Sequence, residues 1–263
     1  GFNINIPGKI QPGPEVKEDI KIPYPTEEEV NLKLSFGAGD LTLSPGANDL
    51  VEGTVTYNYE ALKPEVNTEG GDVEIKMGEV NFTGFPSFDE ITNEWDFKLS
   101  EQPMNLDIDS GAYQGEFEFG GLSLTNLTIT DGAADVNVSF SEPNQVEMTR
   151  FNYSTGASNL RITGLANANF SIFDFSSGAG DYTLDFSGEL QRDATIKISS
   201  GLSNVILVIP EGVNAIVTVE GGALNVNTDS GWSQNGSVYE QKGEGHTLTF
   251  IIEMGAGNLT ITD

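Results

Sequence analysis

A glycine recurs along this chain at nearly fixed intervals, and that recurrence limits the fold more than any other feature. Gly111, Gly132, Gly156, Gly178, Gly201 and Gly222 lie 21, 24, 22, 23 and 21 residues apart. Each precedes a small or apolar residue and then a short alternating pattern, as in Gly178-Ala179-Gly180 followed by Tyr182, Leu184 and Phe186. An earlier copy is Gly37-Ala38-Gly39-Asp40-Leu41-Thr42-Leu43; a last one, Gly255-Ala256-Gly257-Asn258-Leu259, follows a gap of 33. A period of this length marks a solenoid, because one unit cannot bury its apolar face until another stacks on it. About 22 residues at roughly 3.3 Å each trace a perimeter near 70 Å, enough for two or three short strands and their corners. No stretch sustains a 3.6-residue apolar period, and glycine and β-branched residues interrupt every candidate helix. The expected fold is therefore all-β: a single-stranded β-solenoid, β-helix-like, with rungs of about 22 residues and a strand-rich N-terminal cap. The corner glycines are expected to serve sharp turns, often at positive φ.

Pro7, Pro12, Pro14, Pro23 and Pro25 crowd the start of the chain. Proline at that density opposes regular pairing, so residues 1–25 read as an extended linker or stalk. Residues 26–263 read as the solenoid domain, with 26–108 as its capping part and 109–263 as regular rungs. Val30, Leu32, Leu34 and Phe36 alternate with polar residues as a half-buried strand does. Longer strands are expected at 50–59, 72–77 and 95–99, punctuated by Lys63-Pro64 and Gly70-Gly71-Asp72. Residues 83–90, with Phe85, Pro86 and Phe88, read as a loop whose aromatics pack back on the body. Residues 231–246, which lengthen the last interval, read as an excursion or hairpin carrying Trp232 and Tyr239. The abrupt start at Gly1 leads us to expect targeting information upstream of it.

Forty acidic residues against twelve basic ones give a formal net charge of −28. Such a chain is repelled by nucleic-acid phosphates and anionic headgroups, which argues against direct binding to either. It has no cysteine and one histidine, His246, so disulfides, thiolate metal sites and multi-histidine zinc sites are excluded. No apolar run approaches the roughly 18 residues of a membrane helix.

At this point the residues resemble a known group. Asn93-Glu94-Trp95-Asp96-Phe97, Pro103-Met104-Asn105-Leu106-Asp107 and Ser110-Gly111-Ala112 resemble the N-terminal part of the bacterial "toast rack" domain family. Val208-Ile209-Pro210-Glu211-Gly212-Val213, Gly221-Gly222-Ala223-Leu224, Gly231-Trp232 and Met254-Gly255-Ala256-Gly257 resemble the same group. They are also similar to C-terminal domains of LiaF-type cell-wall-active antibiotic response proteins. The resemblance spans about residues 30–263 and rests on glycines and hydrophobics rather than reactive groups. It implies a β-solenoid on the outer side of a bacterial membrane, behind an N-terminal anchor, with envelope-stress signalling as the response proteins' setting. It brings no catalytic residues with it.

Gly37-Ala38-Gly39-Asp40 and Gly178-Ala179-Gly180-Asp181 look like calcium-binding glycine-rich repeats, but those repeat aspartate every nine residues. Here Asn159, Asn204 and Asn258 stand where aspartate would be needed, so no cofactor or dedicated metal site is expected, with room only for weak surface binding of calcium. Asp107 and Asp109 share a strand face, as do Asp181 and Asp185, and Arg150, Arg161 and Arg192 lie in the middle rungs. These could serve a carbohydrate-active β-helix enzyme, yet a solvated acidic face explains them as well. His246 has no serine or acid at motif spacing, and no catalytic residue is expected. Trp95 belongs to the core or cap, whereas Trp232 and Tyr239 are the expected ligand contacts if they stand exposed as a platform for sugar rings.

The expected function is a non-catalytic extracytoplasmic interaction or sensing module of the bacterial envelope, tethered through a missing N-terminal segment. An adhesion or glycan-binding module and a carbohydrate-active enzyme are the alternatives. The expected partner is an envelope membrane protein or a cell-wall glycan, with pairing to a second copy left open.

Overall fold

The computed structural model describes residues 12–79 and 90–263. The expected aromatic loop at 83–90 therefore lies, except for Glu90, outside the described residues, as do Pro7 and the rest of the stalk before Pro12. Among the described residues one continuous sheet contains β1 (Val16–Ile22), β2 (Asn31–Ala47), β3 (Val51–Tyr57), β4 (Glu65–Glu69), β5 (Asp72–Lys76), β6 (Asn93–Ser100) and β7 (Met104–Glu118). It continues through β8 (Leu124–Ser139), β9 (Met148–Thr163), β10 (Phe170–Asp185), β11 (Ala194–Val208), β12 (Val213–Thr228), β13 (Ser233–Asn235), β14 (Val238–Gln241) and β15 (Glu244–Thr262). The all-β solenoid is present, as a stack of long parallel strands.

Each rung strand has 15 to 19 residues, well beyond the usual three to ten. The excess is explained by the corner glycine, which divides every rung into a first limb before it and a second limb after it. Alternate residues of both limbs face inward and are buried: Leu127, Ile129, Val136 and Val138 in β8, and Phe151, Tyr153, Leu160 and Ile162 in β9. The third side of each rung is irregular. Buried Asn144 and Asn167 serve its backbone: Asn144 accepts from the Leu124 N–H and donates to the Leu124 and Val146 carbonyls, and Asn167 donates to the Phe140 carbonyl. Such groups must be paired when buried, so these side chains stand in for a third strand.

The second glycines of three corner units, Gly39, Gly180 and Gly257, have the expected positive φ, but the column of glycines that sets the period recurs for a different reason. None of the corner column (Gly37, Gly111, Gly132, Gly156, Gly178, Gly201, Gly255, Gly222) has positive φ. The rungs instead approach so closely that a Cβ on Gly178 would sit 2.5 Å from the Gly156 carbonyl oxygen, and one on Gly201 2.6 Å from that of Gly178. Backbone meets backbone there, leaving no flexible group to yield. Gly178→Ala is expected to destabilise the fold by about 1–3 kcal/mol, the usual cost of over-packing. A denaturant midpoint equal to the parent's would contradict this account.

Two ends depart from simple succession. At the N-terminal end β2 is itself a rung and stacks directly on β7. Its first limb also pairs with β5, to which β4 is joined antiparallel, and its second limb pairs with β6, which continues to β3 and β1. The stalk reading needs correction here, because Val16–Ile22 pairs along its whole length with β3. No proline falls between Val16 and Ile22, so the prolines bracket a strand and do not break it. At the C-terminal end the last glycine copy does not come last. β15 inserts between β11 and β12, so Gly255 stacks on Gly201 and Gly222 lies beyond it. The residues between form the expected hairpin, β13–β14, whose β14 runs antiparallel to Ala215–Thr218.

Candidate functional site

Parallel in-register stacking places the same position of every rung in one column. On the second limb one outward column runs Asp40, Gln114, Asp135, Asn159, Asp181, Asn204, Asn258, Asn225. Its far end is a ladder of amides: Asn204 donates to Asp181 (2.8 Å), Asn258 to Asn204 (2.7 Å) and Asn225 to Asn258 (3.3 Å). Two of the three asparagines that stand in aspartate's place, Asn204 and Asn258, therefore bond one another along the stack.

A second ladder lies on the first limb at the N-terminal end. Asn31 donates to Asp72 (2.7 Å), Asn105 to Asn31 (2.6 Å) and Asn126 to Asn105 (3.0 Å), while Asn105 also reaches Glu29 (3.3 Å). Beside it Lys33, Asp107 and Thr128 form the next outward column, with Glu74 in register with Lys33 on the other side. The hairpin β4–β5 stands against this wall and turns it into a groove of 800 Å³, lined by both columns and by Asn67, Thr68 and Glu69. Among the described residues lining it, Lys33 is the one cation, facing Glu69, Asp72, Glu74 and Asp107. Burial pushes the Asp107 carboxyl above its ordinary pKa; Lys33 pulls it back and Asp109 adds to the rise.

β4 is an unusual investment for a cap. Every residue in it is exposed, and Val66, its one apolar side chain, is 43% exposed. Ordering five residues costs roughly 5–10 kcal/mol of backbone entropy, and β4 offsets little of that by burial. What it supplies is the groove's second wall. The groove is rich in amides, hydroxyls and carboxylates, groups that pair with ligand hydroxyls through both donors and acceptors.

The expected aromatic platform is not formed. Tyr239 is 8% exposed and belongs to the core, with its hydroxyl accepting from Gln234 (3.1 Å). Trp232 is half-buried against the same core, with Nε1 enclosed. Their hairpin folds onto the last rung and carries both rings inward. Trp95 is core, as expected, edge-on to Phe36 at 4.9 Å. Asp107 and Asp109 share the outer face, and so do Asp181 and Asp185, but only Asp107 enters the groove. His246 is exposed, 3.5 Å from Asp193; Arg150 pairs with Asp174 and Arg192 with Glu147 (3.1 Å), while Arg161 points to solvent. The groove residues Asn31, Asn105 and Asn126 were missed, although each stands six positions before its glycine, at Gly37, Gly111 and Gly132. Superposing the glycines would have shown the column.

Solved structures resemble the chain over nearly its full length. A "putative cell adhesion protein" from Clostridium sporogenes is 20% identical, over 95% of this chain and 99% of that one, at a TM-score of 0.49. A "putative lipid binding protein" from Parabacteroides distasonis is 12% identical, over 94% and 97%, at 0.42. A "putative adhesin" from Bacteroides fragilis is 10% identical, over 96% and 99%, at 0.38. No residue role is carried over from these likenesses. None of the curated proteins matches the chain. A family model, described as the N-terminal domain of toast_rack, DUF2154, matches residues 11–163, a span that holds both walls of the groove and the first rungs β2, β7 and β8. With more than half its length so matched, the chain belongs to that toast rack family.

Proposed function

We propose that this chain is a non-catalytic interaction module on the outer side of a bacterial membrane, and that it binds a hydroxyl-rich glycan of the cell wall in the groove beneath β4–β5. A tether upstream of the described residues would hold it there. The observation that carries the reading is the groove: the place where the rung pattern is interrupted to raise a wall that buries almost nothing of its own. The floor offers a bonded row of amides next to a single ammonium and several carboxylates. A sugar's hydroxyls can both accept from the amides and donate to the carboxylates, whereas a polyanion would meet the field of a chain of net charge −28.

The test is retention on purified peptidoglycan, with the polyanion teichoic acid as the polymer expected not to be retained, comparing the parent chain with a Lys33→Ala/Asn126→Ala pair. Each lost hydrogen bond is worth about 1 kcal/mol, so the pair is expected to weaken retention roughly tenfold or more. Equal retention by both chains would move the contact elsewhere. Recovery of a specific membrane protein from solubilised envelope, without glycan retention, would replace the glycan reading with a protein partner.

A further inference from the structure

The strongest unexplained feature lies at the other end of the stack. β14 covers β12 only over Ala215–Thr218, with one further bond from the Val219 N–H to the Ser237 carbonyl. Beyond the corner, residues 223–228 pair with β15 on one side and, among the described residues, with nothing on the other. The outer strands at the N-terminal end carry charges, Lys17, Glu18, Asp19 and Lys21 in β1 and Glu65 and Glu69 in β4. Charges of that kind protect an edge from unwanted pairing. The stretch from Gly221 to Thr228 has none. Its inward residues Leu224 and Val226 are only half-buried, so the core columns Val205–Leu259–Val226 and Leu207–Ile261–Thr228 end uncovered.

The chain contains a segment with the matching pattern. Phe2-Asn3-Ile4-Asn5-Ile6 alternates apolar residues with asparagine, as Leu224-Asn225-Val226-Asn227 does, and is likewise uncharged. A parallel register that sets Asn3 against Asn225 places Asn3 on the end of the Asp181–Asn204–Asn258–Asn225 ladder. The same register lays Phe2, Ile4 and Ile6 over Leu224, Val226 and Thr228. Pro7 then falls opposite Asp229, just past the end of β12, where a missing N–H costs nothing.

That segment cannot reach the edge of its own molecule. Gly13 is fixed by a hydrogen bond from its N–H to the Asn58 carbonyl, beside the β1–β3 pair. On the second limb ten strand spacings separate β1 from β12, about 48 Å at roughly 4.8 Å each. The seven residues from Ile6 to Gly13 span at most about 25 Å. A second copy can supply the strand instead, and because donor and acceptor lie at opposite ends, the contact is head-to-tail and open.

We propose that residues 2–6 of one copy add as a parallel strand to the free edge of β12 in the next, so that the solenoids join end to end. This is independent of the glycan groove, which lies at the opposite end.

Sedimentation of the full chain over a concentration series tests it. The parent is expected to grow through successive multiples of the monomer mass. Ile4→Lys, which alters only the donor, and Val226→Lys, which alters only the acceptor edge, are each expected to remain monomeric. Mixed together they should give a two-chain species and nothing larger, since one live donor meets one live acceptor; this also shows that the acceptor edge of the Ile4 variant is folded, and a circular-dichroism spectrum and melt equal to the parent's check the Val226 variant. A parent that is monomeric throughout, growth that survives Ile4→Lys, or single variants that stay apart on mixing would each overturn the proposal.

Discussion

Phe173→Ala is expected to lower the unfolding free energy by about 3–5 kcal/mol, the range found when a buried aromatic is truncated without collapse of its surroundings. Phe173 is fully buried in β10, near the middle of the stack. Its ring lies flat on Phe151 at 4.5 Å and 4°, and meets Phe170 at 5.6 Å and Phe175 at 6.2 Å edge-on. Neighbouring rungs on both sides hold those partners in place, so the space left by the ring has little means of closing. The architecture adds a second consequence. A solenoid's stability is close to a sum of rung and interface terms, and weakening a central interface uncouples the two halves. The variant is therefore expected to show a smaller denaturant m-value as well as a lower midpoint, which reports a less cooperative transition. Leu224→Ala, in the last rung and half-buried, is the control and should change the midpoint much less. A loss below about 1 kcal/mol at Phe173 would mean that the core repacks across rungs, contrary to the dense interiors of folded proteins.

Most of that architecture was legible before any coordinates, and the reason is the close backbone approach at the corner. Because a Cβ would strike the stacked glycine's carbonyl, the chain must place glycine once per rung, and the count of rungs can be read from Gly37 through Gly255. Alternation around each glycine then assigns the inward residues of the rungs, and the alternation within β6 itself places Trp95 in the core. What stayed hidden depends on order in space rather than period. Nothing in 213–228 distinguishes a rung that ends the stack from one inside it, so the insertion of β15 between β11 and β12 had no local signal. The prolines around Val16–Ile22 masked a strand whose pairing depends on β3, some thirty residues away. Tyr239 illustrates the same limit: its loop-like surroundings suggested exposure, whereas the hairpin's fold onto β12 buries the ring. The groove is composed of asparagines, which are common in turns, and only their shared offset from the glycines marks them as a column.

The second large effect is expected at alkaline pH and centres on Asp131. This residue occupies the inward position before the corner glycine, where the neighbouring rungs carry Ser110, Thr155 and Ser177, and it is 6% exposed. Its Oδ2 accepts from the hydroxyls of Tyr113 (3.0 Å) and Tyr153 (2.7 Å). Burial is the main force that pushes both phenols well above the ordinary tyrosine range; next comes the Asp131 carboxylate for Tyr113, and Tyr113 followed by Asp131 for Tyr153. Tyr57, also buried and bonded to Glu18, is pushed up to about 12. In the unfolded chain all three would release their protons near pH 10, while the folded chain retains them. The folded state then binds more protons than the unfolded one, so stability is complete below about pH 10 and falls as the pH rises towards the folded values. Each tyrosine contributes up to about 1.4 kcal/mol per pH unit in that window. Thermal melts should therefore be level from neutrality to about pH 9 and drop steeply beyond about 10, and Tyr153→Phe should flatten the drop. Asp131→Ala should cost stability even at neutral pH, about 1–3 kcal/mol for each hydroxyl left without a partner. If pairing is the cause, Asp131→Leu combined with Tyr113→Phe and Tyr153→Phe should recover most of that loss, since apolar replacement of every partner leaves nothing unpaired. A triple variant no more stable than Asp131→Ala would instead trace the effect to the shape of the corner, where Asp131 in β8 joins the aromatic rings of the rungs on either side, β7 and β9.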